Sequence, residues 1–129
     1  MSLQNKVREF HEAFGAYIAP SLGEVGDDIR KLRIRLMNEE VNEYLIGEEN
    51  NDIENMAKEL ADILYIAFGT AVSYGIPLED VFEEVHRSNM SKLGNDGKPV
   101  YREDGKVLKG PNFSPADIAH VFSKAQGLA

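Results

Sequence analysis

An all-α fold, four to five helices with a short C-terminal hairpin or ordered loop, is the architecture this sequence predicts, and three observations predict it. Apolar residues recur at three- and four-residue spacing through about the first 90 positions. Glycine, proline, asparagine and aspartate punctuate those stretches at helix-length intervals. Strand-like signals are confined to two dipeptides late in the chain, each beside a glycine turn.

Each element has its own reason. Leu3, Val7, Phe10 and Phe14 share one face of a first helix that ends near Gly15. Ala19-Pro20-Ser21-Leu22-Gly23 breaks the pattern, and Asp27 or Asp28 is placed to cap a second helix running to about Leu45 and closed by Gly47. Asn51 and Glu54 form a capping-box-like start for a third helix from Ile53 to about Ser73, stopped by Tyr74-Gly75-Ile76-Pro77. Pro77 suits a first turn, and Leu78, Val81, Phe82 and Val85 mark the core face of a fourth helix to about Met90. Asn95-Asp96-Gly97 and Asp104-Gly105 set turns around Val100-Tyr101 and Val107-Leu108. Ser114 as N-cap, Pro115 in the first turn and Asp117 as capping partner open a terminal helix carrying Ile118, Val121, Phe122 and Ala125. The expectation is one domain over 1–129: a helical core of about 3–93, a basic glycine-rich segment 94–113 and a terminal helix 114–126.

Composition narrows the function classes. The chain has 129 residues, 22 acidic against 14 basic, for a net charge of −8. That balance argues against duplex nucleic-acid binding, whose affinity comes from lysines and arginines neutralising phosphates. With no cysteine there is no disulfide framework, thiolate metal site or thiol nucleophile, and the expected compartment is the cytoplasm. Leu60 to Val72 is the most apolar run, but at 13 residues including Asp62 it falls short of the roughly 20 that a bilayer crossing needs. No membrane association is expected.

The charge is unevenly placed. Residues 39–62 hold nine carboxylates and one lysine. A solvated helix surface is the ordinary explanation for such a run, but here the phase of the helix opposes it. Ile29, Leu32 and Leu36 define the apolar stripe of the second helix; Glu40 and Glu43 continue that stripe, and Glu39 lies at its edge. On the third helix Glu59 and Asp62 share a face, and Asp62 sits in a stretch expected to be dry. Converging buried carboxylates need compensation. Either Arg30, Arg33 and Arg35 pair with them, or a hard divalent ion such as Mg²⁺, with Mn²⁺ as substitute, is held by their oxygens.

A second polar extension has the opposite sign. Asn89 and Lys92 continue the Leu78/Val81/Val85 stripe, and Lys98, Arg102, Lys106 and Lys109 follow among glycines. This segment suits phosphate oxygens. An acidic cage and a basic loop in one chain outline a site for a metal-complexed polyphosphate, with water as nucleophile and Glu39 as the base that activates it.

At these residues the sequence resembles the MazG-like all-α nucleoside triphosphate pyrophosphohydrolases, whose signature is E-E-x-x-E followed by E-x-x-D on the next helix. Glu39-Glu40-Val41-Asn42-Glu43 and Glu59-Leu60-Ala61-Asp62 match it. Glu84 to Lys92 and Asp104 to Pro111 resemble the branch related to phosphoribosyl-ATP pyrophosphatase and dimeric dUTPase. The resemblance implies hydrolysis of a nucleotide to its monophosphate and pyrophosphate, Mg²⁺ dependence and a homo-oligomer, a dimer or a tetramer. It puts metal ligation on Glu40, Glu43, Glu59 and Asp62, water activation on Glu39, and phosphate contacts on Asn89 and Lys92. The apolar third helix points the same way, toward a dimer at least.

Two rivals come from other classes. Glu83-x-x-His86 and Asp117-x-x-His120 supply the acid-x-x-His pairs of a di-iron bundle, but Glu83 and His120 point away from the apolar stripes, and these histidines, with His11, read as surface residues. A non-enzymatic helical dimerisation or regulatory module would use the acidic patch to bind a basic partner and show no turnover.

Overall fold

The computed structural model describes residues 1–127, and the chain groups into two compact units, Met1–Ile76 and a second beginning at Pro77. The first unit is three helices: α1 (Leu3–Phe14), α2 (Asp27–Glu49) and α3 (Ile53–Tyr74). The second holds α4 (Leu78–Met90), the strands β1 (Val100–Tyr101) and β2 (Val107–Leu108), and α5 (Ile118–Ala125). The described residues are therefore all-α apart from one two-stranded antiparallel hairpin, in which Val100 faces Leu108 and Tyr101 faces Val107.

Helix ends follow local chemistry, shifted in places from the expected residue. Ser2 caps α1 by accepting from the Asn5 amide at 3.1 Å, and Gly15 ends it in the left-handed conformation. α2 starts after Gly26 without a side-chain cap, so neither Asp27 nor Asp28 serves as one; both lie inside the first turn, where they complement the helix dipole. Gly47 does not close α2, which continues to Glu49. Its missing Cβ matters sideways instead, since one there would come within 2.8 Å of Asn55 Nδ2 and 3.3 Å of Met56 Cγ on α3. The cap of α3 is Asp52, accepting from the Asn55 amide at 3.1 Å, while Asn51 takes the left-handed turn before it. The cap of α5 is Asp117, not Ser114, and accepts from the His120 amide at 3.0 Å.

In the first unit α3 packs on both α1 and α2, with Val7, Phe68, Ala71 and Val72 as the buried apolar centre. The segment after α1 is bonded along the end of α3, from the Ala19 amide to Val72 O and from the Gly23 amide to Tyr74 O, both at 3.1 Å. Gly75 permits that approach: its φ is +74°, and a Cβ would stand 2.7 Å from Ser21 O and 2.8 Å from Leu22 N. Replacing Gly75 with Ala combines a strained φ with a clash against backbone that cannot swing aside. Urea unfolding is expected to show a loss of about 2–4 kcal/mol; an unchanged midpoint would mean that the 19–23 segment yields freely.

Much apolar surface stays outside this small centre. The Leu60–Val72 run is not dry throughout, for Leu60, Leu64 and Tyr65 are 50%, 56% and 41% exposed. Phe10 stacks on Phe14 and meets Tyr65 edge-on, forming an exposed aromatic cluster. No single described helix is long and apolar enough to cross a membrane.

In the second unit α5 is fastened to α4 by polar contacts. Glu84 takes both arms of Arg87, at 2.6 and 2.9 Å, and the Asp117 amide at 2.8 Å, which hold its carboxyl at about 2. Ser91 Oγ donates to Ser88 O and accepts from the Ser114 amide at 2.9 Å. The buried face of α4 runs through Ser88, whereas Asn89 is exposed and Val85 is 39% exposed, so the inward stripe turns by one residue from the expected one.

Candidate metal centre

α2 and α3 are antiparallel neighbours joined by a three-residue turn, Asn50–Asp52. Three cross-links define their register: Arg33 Nη2 donates to Ile66 O at 2.8 Å, Glu40 meets Glu59, and the Asp52 amide donates to Gly47 O at 3.0 Å. Successive members lie seven residues apart on both helices, which is two turns, so all three fall on one face.

In the middle layer one carboxylate oxygen each from Glu40, Glu43 and Glu59 lies within 4.8 Å of the others. Glu59 is 2% exposed, and the Oε2 atoms of Glu40 and Glu59 are both buried without a hydrogen-bond donor. Two adjacent acceptors without a donor need a proton or a cation between them. Without a cation, Glu40 keeps the proton: the hydrogen bond it then makes to Glu59, its partial burial and the charges of Asp62, Glu43 and Glu59 push its carboxyl from 4.5 up to about 7. Glu43 is raised by the same neighbour, whereas Glu59 is held low chiefly as the acceptor of the Glu40 proton, with Lys58 assisting.

Lys58, not an arginine, is the counter-charge. Its Nζ lies 3.2 Å from Glu59 Oε1 and 2.8 Å from Asp62 Oδ2. Arg33 is bonded to α3 backbone and hydroxyl, and Arg35 lies 3.8 Å from Glu39. Arg30 makes no ion pair with the cluster among the described residues. Asp62 is less dry than expected, its side chain 35% exposed, and it borders the three-glutamate group rather than joining it. Glu39, the residue before Glu40 on α2, is exposed.

The donor set suits a hard divalent ion: all oxygen, anionic, with a buried oxygen that lacks a donor on each of two of its members. A metal there must displace the Glu40 proton. Mn²⁺ or Mg²⁺ binding is accordingly expected to weaken about tenfold between pH 8 and pH 6, with about half a proton released per ion near pH 7, rising toward about one at pH 6. Titration calorimetry in two buffers of different ionisation heat measures both, and a pH-independent affinity would mean that Glu40 is already ionised.

The second unit holds the other expected site residues. Lys92 is half-buried, and its carbonyl accepts from the Gly110 amide at 2.8 Å, tying the base of the hairpin to the end of α4. A Cβ on Gly110 would meet that carbonyl at 2.6 Å. Lys106 is exposed, its amide bonded to Asp104 Oδ1 at 3.1 Å, and Lys109 Nζ stands 4.8 Å over the Phe113 ring. Arg102 pairs with Asp104 and so is less available than its neighbours.

His86 and His120 are exposed as expected, and neither joins a metal-competent group among the described residues. His11 is the exception: it is 3% exposed, with Nδ1 donating to Tyr17 O at 2.9 Å. Burial and the nearby Arg33 charge lower its proton affinity, outweighing the Tyr17 carbonyl bond. The sequence reading also missed Arg33 as a buried residue and Lys58 as the counter-ion. The signal for Arg33 was present, because it lies four residues after Ile29 and seven before Glu40, on the inward stripe.

A family model described as phosphoribosyl-ATP pyrophosphohydrolase matches residues 7–89. Phosphoribosyl-ATP pyrophosphatases of Bacillus cereus (strain AH820) and Bacillus anthracis (strain CDC 684 / NRRL 3495) are each 39% identical over 64 residues, covering 48% of this chain and 60% of theirs. The chain thus spans less than two-thirds of the length of these curated relatives. A crystal structure from Exiguobacterium sp. 255-15, described as a candidate NTP pyrophosphohydrolase, aligns over 100% of this chain and 99% of its own with TM-score 0.51 and 22% identity, a likeness of fold.

Proposed function

The chain belongs to the phosphoribosyl-ATP pyrophosphohydrolase family, and on that premise we propose that it is a Mg²⁺-dependent nucleotide pyrophosphohydrolase, cleaving a nucleoside triphosphate or related nucleotide to the monophosphate and pyrophosphate. The observation that carries this reading is the pair of buried, donorless oxygens of Glu40 and Glu59 with Glu43 beside them. Glu40, Glu43 and Glu59 would hold the ion, with Asp62 joining once Lys58 releases it. The ion's contribution, when bound, is to polarise phosphorus and neutralise phosphate charge against a carboxylate wall.

The chain's own groups do the rest. Glu39, one residue before the ligands and free of the buried cluster, accepts a proton from the attacking water as oxygen adds to phosphorus and pyrophosphate departs. Asn89 and Lys92, with Lys106 and Lys109, are the proposed donors to substrate phosphates, leading into the glycine-rich stretch 92–109, whose five cations outnumber its three acids. Among substrates, phosphoribosyl-ATP is the more specific alternative, supported by the names of the curated relatives. Incubation with a panel of (d)NTPs and phosphoribosyl-ATP in Mg²⁺, with product identification, tests enzyme status and substrate together. Pyrophosphate from one member is expected, and silence across the panel would reject the proposal.

A homo-oligomer, dimer or tetramer, is proposed on the exposed apolar residues of α3 and the Phe10–Phe14–Tyr65 cluster. Sedimentation velocity is expected to give a species at least twice the monomer mass, with Leu64→Glu shifting it to monomer. A monomeric wild-type chain would refute this part. A cytoplasmic location is proposed as the compartment that suits a cysteine-free nucleotide hydrolase.

A further inference from the structure

Arg33 is 8% exposed, yet no carboxylate lies within ion-pair distance of it among the described residues. A buried guanidinium without an acid is costly unless its hydrogen bonds are specific. Here they are. On α3, Ile66, Gly69 and Thr70 fall on one face at the spacing i, i+3, i+4, and together they form a receptor for the guanidinium. Ile66 contributes a carbonyl to Nη2 at 2.8 Å and Thr70 a hydroxyl to Nε at 3.1 Å. Gly69 contributes empty space, since a Cβ there would run into Arg33 Nη2 and lie 3.0 Å from His11 Nε2.

This contact lies two turns from Glu40 on α2 and two turns from Glu59 on α3. Apolar packing alone tolerates a small slide of one helix along another, whereas two directed hydrogen bonds from one planar group do not. The carboxylates themselves repel and favour separation when ionised. We propose that Arg33 is the positioning residue of the carboxylate centre: its guanidinium, laid over Gly69 and bonded to Ile66 and Thr70, locks the register in which α2 and α3 bring Glu40 and Glu59 together. The proposal rests on the reading of that centre as a metal site. Arg33 does not touch substrate or metal, and acts through the placement of the ligands.

The chain has no cysteine, so paired spin labels report this register cleanly. Lys31→Cys on α2 and Ala57→Cys on α3 are both exposed and lie outside the cluster. In that background, doubly labelled protein diluted into an excess of unlabelled chain, so that only distances within one protomer register, is expected to give one narrow inter-label distance, and the wild-type chain saturable Mn²⁺ binding. Arg33→Met is expected to shift or broaden the distance and weaken Mn²⁺ by about tenfold or more, on the scale of losing a group that orients metal ligands, at unchanged helix content. Arg33→Lys, which keeps one donor, recovers part of both. Gly69→Ala, which displaces the guanidinium while leaving its charge in the chain, produces the same pair of changes and serves where Arg33→Met fails to fold. A double Arg33→Met/Gly69→Ala chain is expected to be no worse than either single variant.

Wild-type distance and wild-type Mn²⁺ affinity in folded Arg33→Met would overturn the proposal, as would a changed distance with unchanged affinity. If the wild-type chain binds no Mn²⁺ while its label distance still responds to Arg33→Met, the metal reading fails and the register lock alone stands.

Discussion

Glu59→Gln is expected to lower Mg²⁺-dependent pyrophosphate release by at least about a hundredfold, because it removes a metal ligand, and even the groups that merely orient such ligands are worth 10–100-fold. The same change should leave the thermal midpoint equal or higher. Glu59 is the most buried of the acids, its Oε2 has no donor, and it sits against two other glutamates. An amide there brings a donor to the Glu40 oxygen and removes one repelling charge, which is why function and stability should move apart. Activity assays beside a thermal melt read both. A variant that loses stability and activity together would place Glu59 in the fold rather than in the chemistry.

Asp62→Asn is the second large effect, again about a hundredfold in turnover with the fold intact. Its grounds differ. Asp62 is partly exposed and held by Lys58 at 2.8 Å, so its place in the centre requires Lys58 to let go when the ion arrives. The asparagine cannot replace a carboxylate on a divalent ion, but it frees Lys58 to stay with Glu59. Mn²⁺ titration should therefore show weaker binding alongside the lost turnover. If turnover survives, Asp62 is a partner of Lys58 and nothing more, and the centre is the three glutamates alone.

The fold was legible wherever one face of a helix dominates. α1, α4 and the hairpin fall at or near their expected ends, because apolar spacing and turn glycines there all agree. α2 is less legible, since Gly47 carries the sequence signal of a stop and is instead a place where another helix comes close. Position alone does not separate these two uses of glycine; what Gly47 does depends on Asn55 and Met56, which belong to the next helix. Cap residues slipped by one to three places for a related reason, because neighbouring asparagines, aspartates and serines compete for the same few amides.

Of the site, the inward phase of Glu40 and the convergence of Glu59 upon it were readable from helical geometry. The dryness expected of Asp62 was not borne out, because an apolar helix was assumed to be covered on all sides, and in the single chain Leu60 and Leu64 are bare. His11 was read as a surface residue because nothing in α1 foretells the carbonyl of Tyr17 folding back onto it. Arg33 stood on the inward stripe, but a charged residue there was weighed only as a partner for acids. Its actual partners, a carbonyl, a hydroxyl and a missing side chain on α3, are features of the opposite helix.

The two-turn spacing of the α2–α3 layers limits which length changes this hairpin can accept. Deleting one residue between Arg33 and Glu40 rotates everything beyond it by about 100°, carrying the glutamate off the shared face while the guanidinium stays seated. Loss of a seven-residue block from each helix would shorten the pair and still leave its remaining layers facing one another. Insertions and deletions in this stretch are therefore tolerable only in whole two-turn steps taken by both arms at once.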